Sequence, residues 1–458
     1  MKKCILLIIT LLSSIMLFSE VITLEESISL AKENNKEINS ERNALNSSEW
    51  SQKNALTNFL PKISFNSTMI RLDSDTYDTA TEIMSIPVMD STGAVIGTMP
   101  FSMSAMGTGF YKTSFQNNLT IKQPVFNGGK VILGYQLSKL AKEQAIYSVQ
   151  NKENDITYQV ASTYFNILKI QDLMKMMEKS VGSSKSHLQK VQDNYEVGTA
   201  KKSDVLQWRV KLQNDETALN EVKNNLKVLL TLWKNLLGTD ERNINPSEIN
   251  VTNYDAEIKK YSTMDDEQIE NVIIKLLEKT KQNNPILRTL STTDKMMKKQ
   301  LMMAKGNFLP SLNLQFTYEI ENDDTPDFSG DDNWNFVAAF SLPIFSSGAN
   351  YTNLKKTKYD VRKTNLMLES TKENILVGVK NAYYNLVTNA QTVENNKSSL
   401  EFAKENHKLI NNLFEQGMIT NSELLDADIM LFAGEMNLVS AYYDYLIATY
   451  EIKKFINE

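Results

Sequence analysis

Two carboxylates, Glu423 and Asp426, stand three residues apart in "MITNSELLDADI", a spacing that puts both on one face of a helix. Repeated around a symmetric mouth they would form a charged ring that draws in cations and repels anions. As isolated first-turn acids they would only favour the helix dipole, by about 0.3–1 kcal/mol, and both readings stand. Asp204 has an equivalent place earlier in the chain, without an evident cationic partner. His187 and His407 lie in helix-forming text with no metal-ligand spacing. Met84, Met89, Met99, Met103 and Met106 offer thioethers, which suit Cu(I). Their spacing is irregular in a chain of 20 methionines, so adaptable packing is the expectation and no metal is assigned. The acidic run "ENDDTPDFSGDDNW" lacks the ligand spacing of a known Ca²⁺ loop and reads as a solvated hairpin loop. No phosphate-binding glycine loop or nucleophile motif occurs, so neither catalysis nor a cofactor is expected.

The chemistry is sparse, and the elements around it say more. The chain has 458 residues, 41% hydrophobic and 23% charged, with a formal charge of -6. That composition is ordinary for a folded protein, and its acidity argues against a nucleic-acid partner. Residues 1–19 read as a signal peptide, with Lys2 and Lys3 before an apolar run from Cys4 to Phe18. Cleavage after Ser19 is expected, with an uncleaved anchor as the alternative. Cys4 is the single cysteine, so the mature chain would have no disulfide or thiolate site. No later apolar run has the length of a membrane helix, which leaves β-strands for any membrane crossing.

The chain is written twice. Asn34, Asn35 and Pro61 recur 249 residues on as Asn283, Asn284 and Pro310. Pro124, Phe126, Tyr164, Asn166, Gly198, Ser203 and Leu206 recur 219 residues on as Pro343, Phe345, Tyr383, Asn385, Gly417, Ser422 and Leu425. The change of offset locates 30 additional residues between Pro61 and Pro124, a Gly-, Ser- and Met-rich loop with room for a short hairpin. Residues 20–238 form repeat one, with strands at about 62–72 and 112–124 and helices at about 130–197 and 203–236. A linker covers 239–268. Repeat two, 269–458, has strands at about 311–320 and 333–343 and helices at about 350–416 and 422–455. Pro61, Pro124, Pro310 and Pro343 mark the helix-to-strand junctions, because proline disfavours helix before it and cannot donate a backbone bond.

The strands show period-2 alternation, as in Leu312, Leu314, Phe316, Tyr318 and Ile320, over the roughly ten residues of a tilted membrane β-strand. Alternation alone also fits a soluble, half-buried hairpin. The first long helices run for about 65 residues, roughly 100 Å at 1.5 Å per residue. The second carry seven-residue series: Val205, Leu212, Leu219, Leu226 and Trp233 beside Trp208, Val222 and Leu229, interrupted by Asp215. Their counterparts are Leu424, Leu431, Leu438, Tyr445 and Ile452 beside Ala427, Gly434, Ala441 and Ala448. Such a repeat specifies left-handed coiling. Four strands cannot close a barrel, which needs about eight, so the chain must oligomerise if the strands lie in lipid.

This order of elements, with "YEVGTAKKSDVL" and "FEQGMITNSELLDA" at the helix-to-helix turns, resembles the TolC-like outer membrane factor family over essentially the whole mature chain. The resemblance implies an α+β membrane protein built as a tandem repeat of helix-strand-strand-helix-helix. Three protomers would share a twelve-stranded outer-membrane β-barrel continued by a periplasmic α-helical barrel. It implies a homotrimeric exit duct for efflux or type I secretion, with a periplasmic adaptor (membrane fusion protein) and a proton-driven or ATP-driven inner-membrane pump. The tips would then dock the adaptor through Val197, Gly198, Thr199, Ser203, Gln416, Gly417, Met418 and Ser422. On residue type alone the glycines suit tight turns, and Ser203 and Ser422 are expected to cap the following helices. Members of the family often close the tip with tyrosine and arginine. The matching positions here are Phe414 and Ile419, so apolar contacts would do more of the closing, alongside Asp204, Glu423 and Asp426. A structural or adhesive coiled-coil protein with a soluble β head is the alternative from another class.

Overall fold

The computed structural model describes residues 20–75, 82–101, 112–239, 243–323 and 325–457. The expected signal peptide and the methionines at 103 and 106 lie outside them. The chain forms two compact units, one of residues 1–48, 142–294 and 365–458, the other of residues 49–141 and 295–364.

In the second unit, β2 (Lys62–Arg71), β5 (Thr113–Asn127), β7 (Ser311–Asp323) and β8 (Asp331–Ser341) form one antiparallel sheet in the order β2-β5-β7-β8. Its register aligns the alternating apolar residues into one continuous face. Phe65 lies opposite Leu119, Leu119 opposite Tyr318, and Tyr318 opposite Trp334. That face is open: Ile63, Phe65, Met69, Trp334, Phe336 and Phe340 are all exposed. The added residues of repeat one contain a separate hairpin, β3 (Met84–Met89) paired with β4 (Val95–Phe101). Its turn is held by Asp90, whose carboxylate accepts from the Thr92 and Ala94 backbone N–H groups.

Pro124 differs from its expected place at a strand end. Strand β5 continues through it to Asn127, with a bulge between Pro124 and Phe126. Pairing with β2 stops at Lys122, so the proline falls where β5 has a partner on one side only, and its missing N–H costs no ladder bond there. Beyond it Gly128 (φ 66) packs so closely on Gly306 that a Cβ on either would overlap the other's carbonyl.

Three pairs of helices repeat at equal length. Helix α3 (Lys130–Glu196) and α8 (Ala349–Glu415) each have 67 residues. Helix α4 (Lys202–Leu237) and α9 (Asn421–Ile456) each have 36. Helix α2 (Lys36–Thr57) and α7 (Pro285–Gly306) each have 22, preceded by α1 (Leu24–Asn34) and α6 (Asp266–Asn283). Between the repeats lie β6 (Ile244–Pro246), parallel to β1 (Glu20–Ile22), and the short α5 (Asp255–Ser262).

Within the first unit the seven-residue series faces inward. Val205, Trp208, Trp233, Leu424, Tyr445 and Ile452 are buried. Around Trp233 one core gathers Tyr164, Ile156, Leu237, Tyr383, Tyr443 and Tyr445. Asp215, which breaks the first series, is buried and accepts from Ser180 Oγ (3.1 Å), Ser184 Oγ (2.6 Å) and Lys211 Nζ. At the same position in repeat two Gly434 meets the side chain of Leu400.

The recurring asparagines also acquire a physical reason. Asn35 Oδ1 accepts from the N–H groups of Glu37 and Ile38 and so caps α2, while its Nδ2 donates to Leu236 O at 2.8 Å. Asn284 does the same for α7, accepting from Ile286 and Leu287 and donating to Phe455 O at 2.9 Å. Each clasps a helix start to the end of its repeat's 36-residue helix. Asn35→Ala is expected to cost about 0.5–2 kcal/mol, the range for a lost N-cap. Asn35→Asp keeps the acceptor and loses the donor. Hydrogen exchange should therefore rise near residues 36–40 and 234–238 in the alanine variant, and near 234–238 alone in the aspartate variant.

Candidate functional site

Both helix-to-helix turns are built alike from the backbone upward. Gly198 (φ 82) and Gly417 (φ 72) adopt the left-handed conformation that glycine enters without strain. Each closes its helix with paired bonds. Gly198 N donates to Tyr195 O (3.0 Å) and Thr199 N to Asn194 O (2.8 Å); Gly417 N donates to Phe414 O and Met418 N to Leu413 O, both at 3.0 Å. This is the Schellman arrangement that satisfies the last carbonyls of a helix.

The next helix in each repeat is capped two residues earlier than the serines suggest, which corrects the capping expectation. Thr420, not Ser422, caps α9: its Oγ1 accepts from Glu423 N, and the Glu423 carboxylate accepts from Thr420 N (2.7 Å) and Oγ1 (2.8 Å). Thr-x-x-Glu is a capping-box signature already present in the sequence. Helix α4 follows Lys201, whose N–H donates to Asp204 Oδ2 at 3.1 Å, while Ser203 donates to Oδ1 of the same carboxylate. Asp204 and Glu423 are thus equivalent cap acids. Thr420's backbone N–H and hydroxyl hold the Glu423 carboxyl below its usual value of 4.5. Asp426 is exposed one turn further on.

Val197, Gly198, Thr199, Ser203, Gln416, Gly417, Met418 and Ser422 are all exposed. Beneath them Val191, Val205, Trp208 and Leu424 form a small buried cluster, joined by Leu188, Ala200, Ile410, Leu425 and Phe414. Phe414 is therefore engaged inside its own protomer, with Lys190 Nζ 6.0 Å from its ring. Ile419 is half-buried. Polar contacts cross between the two hairpins: Trp208 Nε1 donates to Asn421 Oδ1 at 2.6 Å, and Asn421 Nδ2 to Gln207 Oε1 at 3.5 Å. His187, His407 and Asp428 also meet here. No spacing motif links them, yet each lies ten or eleven residues from its turn glycine, which in antiparallel helices places them at one level.

The remaining candidates lie in the other unit. Pro61 and Pro310 immediately precede β2 and β7, and Pro343 follows β8. Met84 and Met99 share one face of the β3–β4 hairpin, whereas Met89 is on the other. Among the described residues no cluster of His, Cys, Asp and Glu could hold a metal ion, and no helix is long and apolar enough to cross a membrane.

A duplicated chain with a strand pair and a long helical hairpin in each copy defines a tandem-repeat α+β fold. The outer membrane efflux protein family matches residues 27–239 and 276–458, and the chain belongs to that family. The protein is accordingly an outer-membrane protein of that family. It is 24% identical to outer membrane protein TolC of Escherichia coli over 325 residues, 65% of this chain and 62% of that relative, and so matches less than two thirds of it. It is 22% identical to outer membrane protein TolC of Vibrio cholerae over 66% of this chain and 68% of that one. The fold matches the Campylobacter jejuni CmeC outer membrane channel at a TM-score of 0.73 and 16% identity, covering 95% of this chain and 85% of that one.

The turn geometry sets a test of its own. An added Cβ at Gly198 or Gly417 meets no atom within 4 Å, so alanine there costs only the left-handed backbone strain, about 1–2 kcal/mol per position. Asparagine, which tolerates that conformation, should recover much of it. Limited proteolysis across residues 194–204 and 413–424 should rank both sites Ala > Asn > Gly in cleavage rate.

Proposed function

We propose that the chain is one protomer of a trimeric exit duct in the outer membrane, passively conducting substrates delivered by an inner-membrane pump through a periplasmic adaptor. Three four-stranded sheets would close one twelve-stranded barrel, and the exposed residues at the Gly198 and Gly417 turns would meet the adaptor. The observation that carries this reading is the sheet itself. It has an apolar outer face and two open edges, β2 and β8, and open edges are not tolerated in lipid.

The internal repeat states how the edges would join. Strand β7 is the counterpart of β2 at 249 residues, and β8 that of β5 at 219. Within the chain β5 pairs with β7, Leu119 opposite Tyr318 and Thr120 opposite Thr317. Carried to the edges, this sets Ala338 opposite Met69 of the partner subunit and Ala339 opposite Thr68 of the partner subunit. The same register sets Leu342 against Phe65 of the partner subunit, so the apolar face continues across the junction. A slip of one residue would turn that face inward.

Thr68→Cys with Ala339→Cys should therefore yield disulfide-linked trimers under mild oxidation, since directly opposed strand residues fall within bridging range. The shifted pair Ile70→Cys with Ala339→Cys should link weakly. Recovery of the wild-type chain as a soluble monomer, or equal linking by both pairs, would overturn the reading and favour a coiled-coil surface protein. Glu423 and Asp426 would ring the mouth with six carboxylates in such a trimer. Replacing both with alanine should lower the cation preference of single channels in planar bilayers several-fold; an unchanged preference would leave them as acids near a helix N-terminus only.

A further inference from the structure

The chain's only two histidines converge on one carboxylate. His407 Nε2 lies 2.6 Å from Asp428 Oδ1, and His187 Nε2 lies 3.8 Å from Asp428 Oδ2. His187 belongs to α3, His407 to α8 and Asp428 to α9, and the ring of Trp208 on α4 stacks on His187 with centroids 4.5 Å apart and planes 15° from parallel. All four long helices thus contribute one side chain to a single half-buried cluster. It spans the seam between the α3–α4 and α8–α9 hairpins, next to the crossing bond from Trp208 to Asn421.

We propose that His187, Asp428 and His407 form a proton-sensitive latch that holds the two hairpins together at neutral pH and lets them part on acidification. With His187 uncharged, its ring packs flat on Trp208 and Asp428 is engaged by His407. A proton on His187 adds a cation to a partly desolvated seam whose one carboxylate is already shared. The groups facing it are Lys190 from its own helix, His407 from α8 and Asp428 from α9, with the uncharged Trp208 ring from α4. Burial, the largest influence, and the charges of Lys190 and His407 favour the neutral ring, against the pull of Asp428, and the balance lowers the pKa from 6.5. A histidine held low in the folded state contributes stability that is complete above its unfolded value, about 6.5. That contribution is lost as the pH falls through the lower, folded value.

The latch is a property of the protomer's own seam, so its failure would leave the duct reading untouched. It is tested on the full-length protein in detergent by hydrogen exchange of peptides covering 183–212 and 403–432, corrected for intrinsic rates, between pH 7.5 and 5.0. Wild-type opening should rise as the pH falls, approaching tenfold per pH unit, the limit for uptake of one proton. His187→Phe keeps a ring against Trp208 and cannot take a proton, so its profile should be flat. His187→Gln, also unable to charge, serves if the phenylalanine variant does not fold. With two histidines in the chain, labelled Cε1–Hε1 NMR gives two signals, and the His187 signal should titrate below 6.5 together with the opening. A flat wild-type profile, an equal rise in the uncharged variants, or a His187 midpoint at or above 6.5 would overturn the proposal.

Discussion

A strand at the edge of a sheet carries backbone donors and acceptors that water normally satisfies. Lipid offers no such partner, and each group left open costs several kcal/mol. Strands β2 and β8 each present an edge of this kind in a sheet whose outer face is apolar. Duplication turns the difficulty into a solution, because the strand types that pair inside the chain as β5 and β7 recur at its edges as β8 and β2. In the proposed trimer one pairing rule would serve within and between copies, since a head-to-tail contact repeated by rotation can close into a ring.

The same duplication gave three helix pairs equal lengths without making them equal surfaces. Asp215 and Gly434 occupy one position in the two copies. The first is a buried carboxylate held by two serines and a lysine, the second a gap filled by Leu400. A buried charge is weak evidence for stability, since desolvation offsets most of its pairing. Its network does fix which turns of α3 and α4 face each other, because a shift by one turn would strand the carboxylate. The glycine instead allows close packing in the other hairpin. Each hairpin is therefore matched to its own neighbours, which gives the seam at His187 two chemically distinct sides.

Much of this was legible in the sequence where geometry is periodic. Alternation marked the strands, long proline-free runs the helices, and fixed offsets the repeat, and the family comparison supports the fold class they imply. The turn glycines were legible because only one conformation closes those helices. The caps were misplaced by choosing serine over the Thr-x-x-Glu signature of Thr420 and Glu423. Pro124 was misread as a terminator because whether a strand position is paired on one side or two is a tertiary fact. The histidine cluster left no local trace at all. His187 and Asp428 are 241 residues apart, and only their shared distance from the two turns brings them level.

Acid acts on this region through two groups of different chemistry, a capping carboxyl and a partly buried imidazole. Glu423 is held ionised by Thr420's backbone N–H and hydroxyl, which keeps its carboxyl below 4.5. The cap it forms is complete above that value and is lost only as the pH falls through the lower, folded one. An imidazole starts about two units higher, and burial, the largest influence on His187, lowers it from there. Where His187 takes up its proton above the range in which Glu423 loses its charge, the seam between hairpins is challenged while the capping acid, and with it the negative charge beside the turn, is still in place. The two hairpins would separate as intact helical units with their charged ends preserved, rather than fray from the turns inward.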